Sequence, residues 1–408
     1  MSISRAGSFT GVDRYLQTLT LGLQSTKWLN IHRINFIEDC NLLSPVIETQ
    51  KGITSITIPL PVDTRNIITE KHWMAKYGEY AMRILEPYFN SQVRCLVHIH
   101  TLNLFELASL LRLRYSCKIV THLHCIPWKG LYNTNKKRFN YLYNLTYNQN
   151  NKNALPTERD YAVNYTEIDS YISSDVLVCV TKSGAEFVQK NLHIDKPHIH
   201  IVPNGLNDVA KFHNRDYSFS DKFVQCLFVG SLIESKGLTF VLEAIREVQK
   251  AGYKVSLTIV GGGNSFLYEK IRQENKDLRL NVLKQLSFNE LQKIYAKCDL
   301  GIIASLQEQA SYVAIEMAMF GLPIITTNVD GLGEMFTDEQ NALSVTPVFS
   351  PVFGLSLDIS LLCKQIVRLI ESHDLREFIG KNARRLYETE LNLQLMIDRT
   401  IKIYKDTL

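Results

Sequence analysis

Apolar residues recur along this chain in two alternating patterns. Runs of strand length are ITSITIPL, RCLVHIH, CKIVTHLH, DVLVCVT and HIHIVP in the first half, and VQCLFVG, KVSLTIVG, LRLNVLK, DLGIIAS and LPIITT in the second. Each is followed by a turn signal or a segment of helical period. Continuous apolar strands alternating with helices are the pattern of βα units on parallel sheets, because a strand covered by helices on both faces has no solvent side to make polar. The clearest helical stripes are Leu238, Val241, Leu242, Ile245 and Val248, and Val12, Tyr15, Leu16, Leu19 and Leu23, recurring at steps of three and four. Both are expected to pack on sheets. The expected fold class is α/β, with two doubly wound domains in succession.

The polar stretch 207–222 places the domain boundary, giving a first domain 1–207, a second 208–385, and a helical segment 386–408 that packs back on the first. Two amphipathic helices are expected there, about 374–388 and 391–406. A second polar stretch, 133–153, carries eight asparagines together with Tyr141, Tyr143, Tyr147, Lys136, Lys137 and Arg138, and reads as an inserted loop or weak helices.

Composition narrows the class. The 408 residues, 45% apolar and 21% charged with 20 Gly and 11 Pro, describe an ordinary globular chain and argue against disorder, collagen or a disulfide scaffold. No apolar run reaches the roughly 18 residues of a membrane span, and the start MSISRAGSFTGVDRYL has no apolar signal region, so the default expectation is the cytoplasm. The eight cysteines form no CxxC pair and read as buried reduced thiols rather than a zinc site. The net charge of +4 is too small to imply nucleic-acid binding. Its excess lies before residue 208, which leaves room for an anionic partner there.

Candidate chemistry concentrates in the second half. Glu308 and Glu316 stand eight residues apart around a helix start that follows a buried strand, a spacing of roughly 10 Å at the helical rise. That suits hydrogen bonding to the two ends of an extended ligand rather than a catalytic acid pair. Ser311 is the expected N-cap between them. In CLFVGSLIESKGLTFVLEAI, a strand and a Gly turn lead to Lys236 and Gly237 at a helix start, where backbone N–H groups and an ammonium suit a phosphate. Alone, such a lysine is more often only a solvated side chain. Gly261 to Gly263 form either a ligand-facing turn or a tight connection.

Taken in order, these segments resemble the group 1 class of retaining glycosyltransferases (family 4), whose GT-B fold sets two Rossmann-like domains across a cleft. The carriers are GSFTGVDRYLQTLTLGL, KIVTHLHCIPW, SSDVLVCVTKSGAEFV, IVPNGLND, LFVGSLIESKGLTFVLEAI, SLTIVGGG, ELQKIYAKCDLGIIAS, EQASYVAIEMAMFGLPIITT and DGLGEMFTDEQNAL. The resemblance implies that Glu308 holds the donor sugar, Glu316 the nucleotide ribose and Lys236 the leaving diphosphate. It implies that His124 faces the donor sugar and that the Gly7 to Gly11 turn faces donor phosphate and acceptor. The donor-binding set completed by it is Gly230, Ser231, Gly237, Gly261, Gly262, Ser311, Tyr312 and Val313. His122 reads as structural.

Several positions depart from the class. Ser231 replaces the usual arginine, Gln309 to Tyr312 replace a glycine-rich stretch, and Cys125 replaces an aspartate. Only six residues precede Gly7, so the first strand is expected to be missing or truncated. The implied activity is transfer of a sugar from a nucleoside-diphosphate sugar to a hydroxyl of a glycan, lipid-linked or peptide acceptor, without metal or cofactor, with peripheral membrane contact as a corollary of a lipid-linked acceptor. The rivals are a nucleotide-sugar or glycan-binding subunit weakened in turnover, which Ser231 favours, and a phosphorylase or epimerase on the same fold.

Overall fold

A computed structural model describes residues 1–5, 10–39, 41–60, 73–147, 167–195, 198–211, 213–219, 223–350 and 354–408. The chain divides into two compact units, one comprising Met1–Pro203 with Met396–Leu408, the other Asn204–Leu395. The first division thus falls a few residues before the expected one at 207, and the chain returns to the first unit at Met396 rather than at 386.

In the first unit, strands β1 (Ser2–Arg5), β2 (Ile31–Glu38), β3 (Val46–Gln50) and β4 (Ile53–Pro59) form a sheet in the order β1-β2-β4-β3. β5 (Leu96–Ile99), β6 (Lys118–Leu123), β7 (Val176–Cys179) and β8 (His198–Ile201) form a second, all-parallel sheet in chain order. The His100 amide donates to the Met1 carbonyl at 2.9 Å, bringing the start of β1 beside the end of β5. The first strand, expected to be missing or truncated, is present as the four residues Ser2–Arg5, which pair in parallel with Asn35–Glu38. β2 has no continuous apolar run, because only Ile34 and Phe36 are buried among polar neighbours such as His32, Arg33 and Asn35.

The asparagine-rich stretch is also more ordered than its composition implied. Helices Pro127–Thr134 and Lys136–Tyr147 occupy its described part, residues 148–153 lying outside the described residues. They are held by a small core: Phe139 and Leu142 are buried, and the Phe139 ring packs edge-on against buried Trp128. Asparagine is a weak helix former, but buried aromatic anchors override propensity.

The second unit is built on one parallel sheet of six strands, β9 (Val224–Val229), β10 (Val255–Val260), β11 (Leu280–Leu283), β12 (Leu300–Ile303), β13 (Ile324–Thr327) and β14 (Leu343–Val345). Their spatial order is β11-β10-β9-β12-β13-β14, with every pairing parallel. Relabelled from the unit's first strand this is 3-2-1-4-5-6, the doubly wound order of nucleotide-binding folds. Two apolar layers cover the sheet. One comes chiefly from helices Leu238–Lys250 and Ile359–Glu371, the other from Phe288–Lys297, Tyr312–Met319 and His373–Glu390. On the first, Val241 and Ile245 have no exposed surface, and such side chains contribute roughly 1.5–3 kcal/mol each.

Close backbone approach at the strand ends depends on two glycines. A Cβ at Gly237, whose φ is +72°, would lie 2.1 Å from the Ala304 carbonyl oxygen, and one at Gly261 would lie 2.0 Å from that of Gly230. Gly252 also has positive φ, at +93°, but its Cβ would meet nothing within 4 Å. Gly252→Ala is therefore expected to cost only the left-handed strain of roughly 1–2 kcal/mol. Gly237→Ala adds a backbone collision and should lower the urea midpoint substantially further; equal losses would show that the predicted collision is relieved at no cost.

Candidate functional site

Between β9 and β12 the sheet reverses its winding, and the loops leaving the two strands diverge. Beyond the carboxyl ends of strands at such a point, no crossover helix covers the sheet, which leaves room for a ligand. The segments here are Gly230–Gly237 after β9, Gly261–Gly263 after β10, Ala304–Ser311 after β12 and Asn328–Gly331 after β13.

Backbone bonds lock these segments together. Gly230 N–H donates to Val260 at 3.0 Å, Leu232 to Gly262 at 3.2 Å, Leu306 to Ser235 at 2.8 Å and Gly331 to Glu308 at 2.9 Å. Two hydroxyls add to them, Thr327 donating to the Ser305 carbonyl at 2.5 Å and Tyr268 to the Gly261 carbonyl at 2.9 Å. Backbone hydrogen bonds thus pre-set the loops, with Leu232 and Leu306 packing against the core beneath them.

Lys236 ends a single 3-10 turn, Glu234–Lys236, and left-handed Gly237 then starts helix Leu238–Lys250. Lys236 thus stands just before that helix, whose N-cap is Gly237. Its ammonium forms an ion pair with the Glu308 carboxylate, which also accepts from Ser305 Oγ at 3.4 Å. The side chains are 27% and 13% exposed, so both charges remain reachable.

Glu308 precedes helix Tyr312–Met319 rather than lying on it, so the helical-rise separation from Glu316 does not apply. Ser311 is the N-cap, accepting from Ala314 N–H at 3.3 Å. Glu316 lies within the helix, 4% exposed, and accepts a hydrogen bond from the fully buried Tyr295 hydroxyl at 2.7 Å. Gly230 and Gly262 are partly exposed, Ser231 is exposed, Gly261 is buried, and Tyr312 and Val313 are half-buried on the first turn of that helix. The structure therefore gathers Lys236, Glu308, Gly230, Ser231, Gly237, Gly261, Gly262 and Ser311 on one sheet edge, with Glu316 tucked behind it.

The remaining candidates belong to the first unit. Gly7 lies outside the described residues. Gly11 opens helix Gly11–Leu23, whose N-cap Thr10 forms a capping box with Asp13. His124 follows β6, its Nε2 3.1 Å from His100 Nδ1, and burial pushes its pKa down to about 3. Cys125 is exposed, against the expectation of uniformly buried thiols.

Sequence reasoning did not single out Tyr295, Ser305 or Thr327 as members of the site, nor His98 and His100 beside His124. No local motif marks Tyr295, which reaches Glu316 only through tertiary packing. The histidines did carry a signal, since His-x-His occurs three times, at 98–100, 122–124 and 198–200.

Residues 224–371 match the family model described as Glycosyl transferases group 1. An uncharacterized glycosyltransferase of Methanocaldococcus jannaschii is 26% identical over 237 residues, 57% of this chain and 60% of that relative. The alignments thus span about 60–65% of the length of the first curated relatives. Among solved structures, a sucrose-phosphate synthase from Thermosynechococcus elongatus superposes with a TM-score of 0.75 at 17% identity, covering 99% of this chain and 98% of that one. Anabaena HepE, solved in complex with UDP-glucose, gives 0.66 at 15% identity over 99% and 98%. The fold is GT-B, as the sequence resemblance implied.

Tyr295→Phe removes the hydroxyl from a buried carboxylate, and hydrogen bonds to charged groups are worth about 1.5–3 kcal/mol. The variant should unfold earlier in urea by about that amount with its circular dichroism unchanged; an unaltered midpoint would show that Glu316 is satisfied without it.

Proposed function

Residues 224–371 belong to the group 1 glycosyl transferases, and from that premise we propose that the protein moves a glycosyl group from a nucleoside-diphosphate sugar to an acceptor hydroxyl. Transfer proceeds with retention at the anomeric carbon and with no metal ion in the chemical step. The observation that carries the reading is the reachable Lys236–Glu308 ion pair at the winding reversal of a 3-2-1-4-5-6 sheet. The UDP-glucose bound by Anabaena HepE supports the same class of donor.

The chemistry follows from what each group offers. A diphosphate leaves as an anion, and its developing charge is stabilised by the Lys236 ammonium, which exchanges Glu308 for the phosphate oxygens. The N-terminal end of helix Leu238–Lys250 adds its positive dipole end. Glu308, released from Lys236, accepts hydrogen bonds from sugar hydroxyls. The Ser231 hydroxyl supplies a donor but no charge, so Lys236 carries more of the neutralisation than where an arginine stands beside it. Glu316, held by Tyr295, fixes the far end of the donor at the ribose. The leaving phosphate takes the proton of the acceptor hydroxyl.

The acceptor is a glycan or lipid-linked oligosaccharide, met in the cytoplasm or at the inner face of a membrane. No helix among the described residues is long and apolar enough to cross a bilayer, so contact with a membrane would be peripheral.

Release of nucleoside diphosphate from a panel of nucleotide sugars, with and without acceptor, tests the reading. Acceptor-dependent release is expected. Donor binding without release would establish the binding subunit instead, and phosphate-dependent formation of sugar phosphate a phosphorylase. Lys236→Ala should lower kcat by ~10²–10³-fold, the loss typical of one transition-state donor. A purely structural ion pair would instead lower stability and leave kcat per folded molecule intact. Glu308→Gln should impair transfer while nucleotide affinity, read by thermal shift, stays near wild type.

A further inference from the structure

His98 and His100 alternate along the end of β5, and His122 and His124 along the end of β6. Residues two apart on a strand share a face, and the parallel register pairing His98 with Val120 places all four imidazoles on the same face of neighbouring strands. The rings of His98 and His100 are 4.1 Å apart, those of His122 and His124 are 4.3 Å apart, and each of the first pair lies 5.4 Å from His122.

This cluster contains unpaid polar atoms. His122 is 2% exposed, and neither of its ring nitrogens has a hydrogen-bond partner among the described residues. His98 pairs its Nδ1 with the Tyr404 hydroxyl at 2.7 Å, while its Nε2, also shielded from solvent, has none. An unsatisfied buried polar group costs roughly 1–3 kcal/mol. Apolar or aromatic side chains would fill the same space without that cost. One ring nitrogen from each of His98, His100 and His122 lies within 4.8 Å of the others.

We propose that His98, His100 and His122 form a binding site for a divalent transition-metal ion of the zinc class, through one imidazole nitrogen each, with a fourth position left for water. Three imidazoles are a donor set suited to such ions. Nitrogens on a tetrahedral zinc stand ~3.3 Å apart given Zn–N distances of about 2.0–2.1 Å, so the rings need to close by an amount that rotation about their χ angles supplies. Two of the three ligands already have an outer-shell partner. His98 Nδ1 pairs with the Tyr404 hydroxyl and His100 Nδ1 with His124 Nε2, the arrangement that orients a liganding imidazole and leaves its other nitrogen for the ion. Burial holds all three imidazoles in the neutral form that can bind a cation. A cavity of about 690 Å³, lined by His98, His100 and Tyr404 among apolar residues including Leu16 and Leu19, gives the ion a way in.

The site joins β5, β6 and helix Leu393–Thr407 within the first unit and does not rest on the glycosyl-transfer reading, since no step proposed above passes through it. Zn²⁺ titration of the chelator-treated full-length protein, followed by a competing chromophoric chelator and by metal analysis, tests it. One ion per chain and a higher unfolding temperature with Zn²⁺ are expected. His98→Phe and His122→Phe should each weaken binding at least ~100-fold, and Tyr404→Phe about 10-fold through the lost outer-shell bond. Cys125→Ser and the exposed-strand variant His198→Ala should leave it unchanged. Co²⁺-loaded wild type should show the intense visible bands of a four-coordinate ion held by three nitrogens and water, a readout that needs no variant to fold. Absence of stoichiometric binding, binding indifferent to His98 and His122, or a six-coordinate Co²⁺ spectrum would each overturn the proposal.

Discussion

The candidate site exists because two carbonyl oxygens, of Ala304 and Gly230, have no side chain in front of them. Gly237 and Gly261 let the loops after β9, β10 and β12 approach to distances no Cβ could tolerate. That approach is what brings a lysine from one loop onto a glutamate from another, 72 residues later in the chain. Opposite charges in a partly shielded pocket would not by themselves draw two loops together, because desolvation offsets much of their attraction. Backbone geometry comes first here, and the ion pair is its consequence.

Two kinds of feature were legible in the sequence. The parallel strands of the second unit were visible because both faces are covered, making their residues apolar throughout. The segment from Glu308 to Glu316 was visible because two glutamates and a capping serine fall within a single turn and helix start. What the sequence obscured required partners. β2 alternates Ile34 and Phe36 with polar neighbours, so its identity as a strand emerges from pairing with β1 and β4. Lys136–Tyr147 reads as a polar insertion until Trp128 and Phe139 are seen packed together. Tyr295 becomes a member of the Glu316 environment only through packing of its helix. The His-x-His pairs at 98–100 and 122–124, offset by 24 residues, acquire meaning only from the register of β5 on β6.

The two units show opposite treatments of polarity. In the second, exposed strand-end loops keep their charges accessible, consistent with a place where ligands come and go. In the first, His100, His122 and the ring of Tyr15, which lies 4.5 Å from that of His122, are buried, and His98 and His124 are half-buried beside them. Burial of that much hydrogen-bonding capacity is tolerable only where something answers it, which is why the histidine array stands out from an otherwise apolar interior.

The first unit is not continuous in the chain: Asn204–Leu395 intervenes before Met396–Leu408 returns to it. During vectorial synthesis the whole second unit therefore emerges, able to collapse on its own sheet, while the first still awaits its closing helix. Tyr404, the residue paired with His98, arrives only after the second unit. The first unit's completion therefore waits on a helix made after the whole of the second unit, rather than on its own early strands alone.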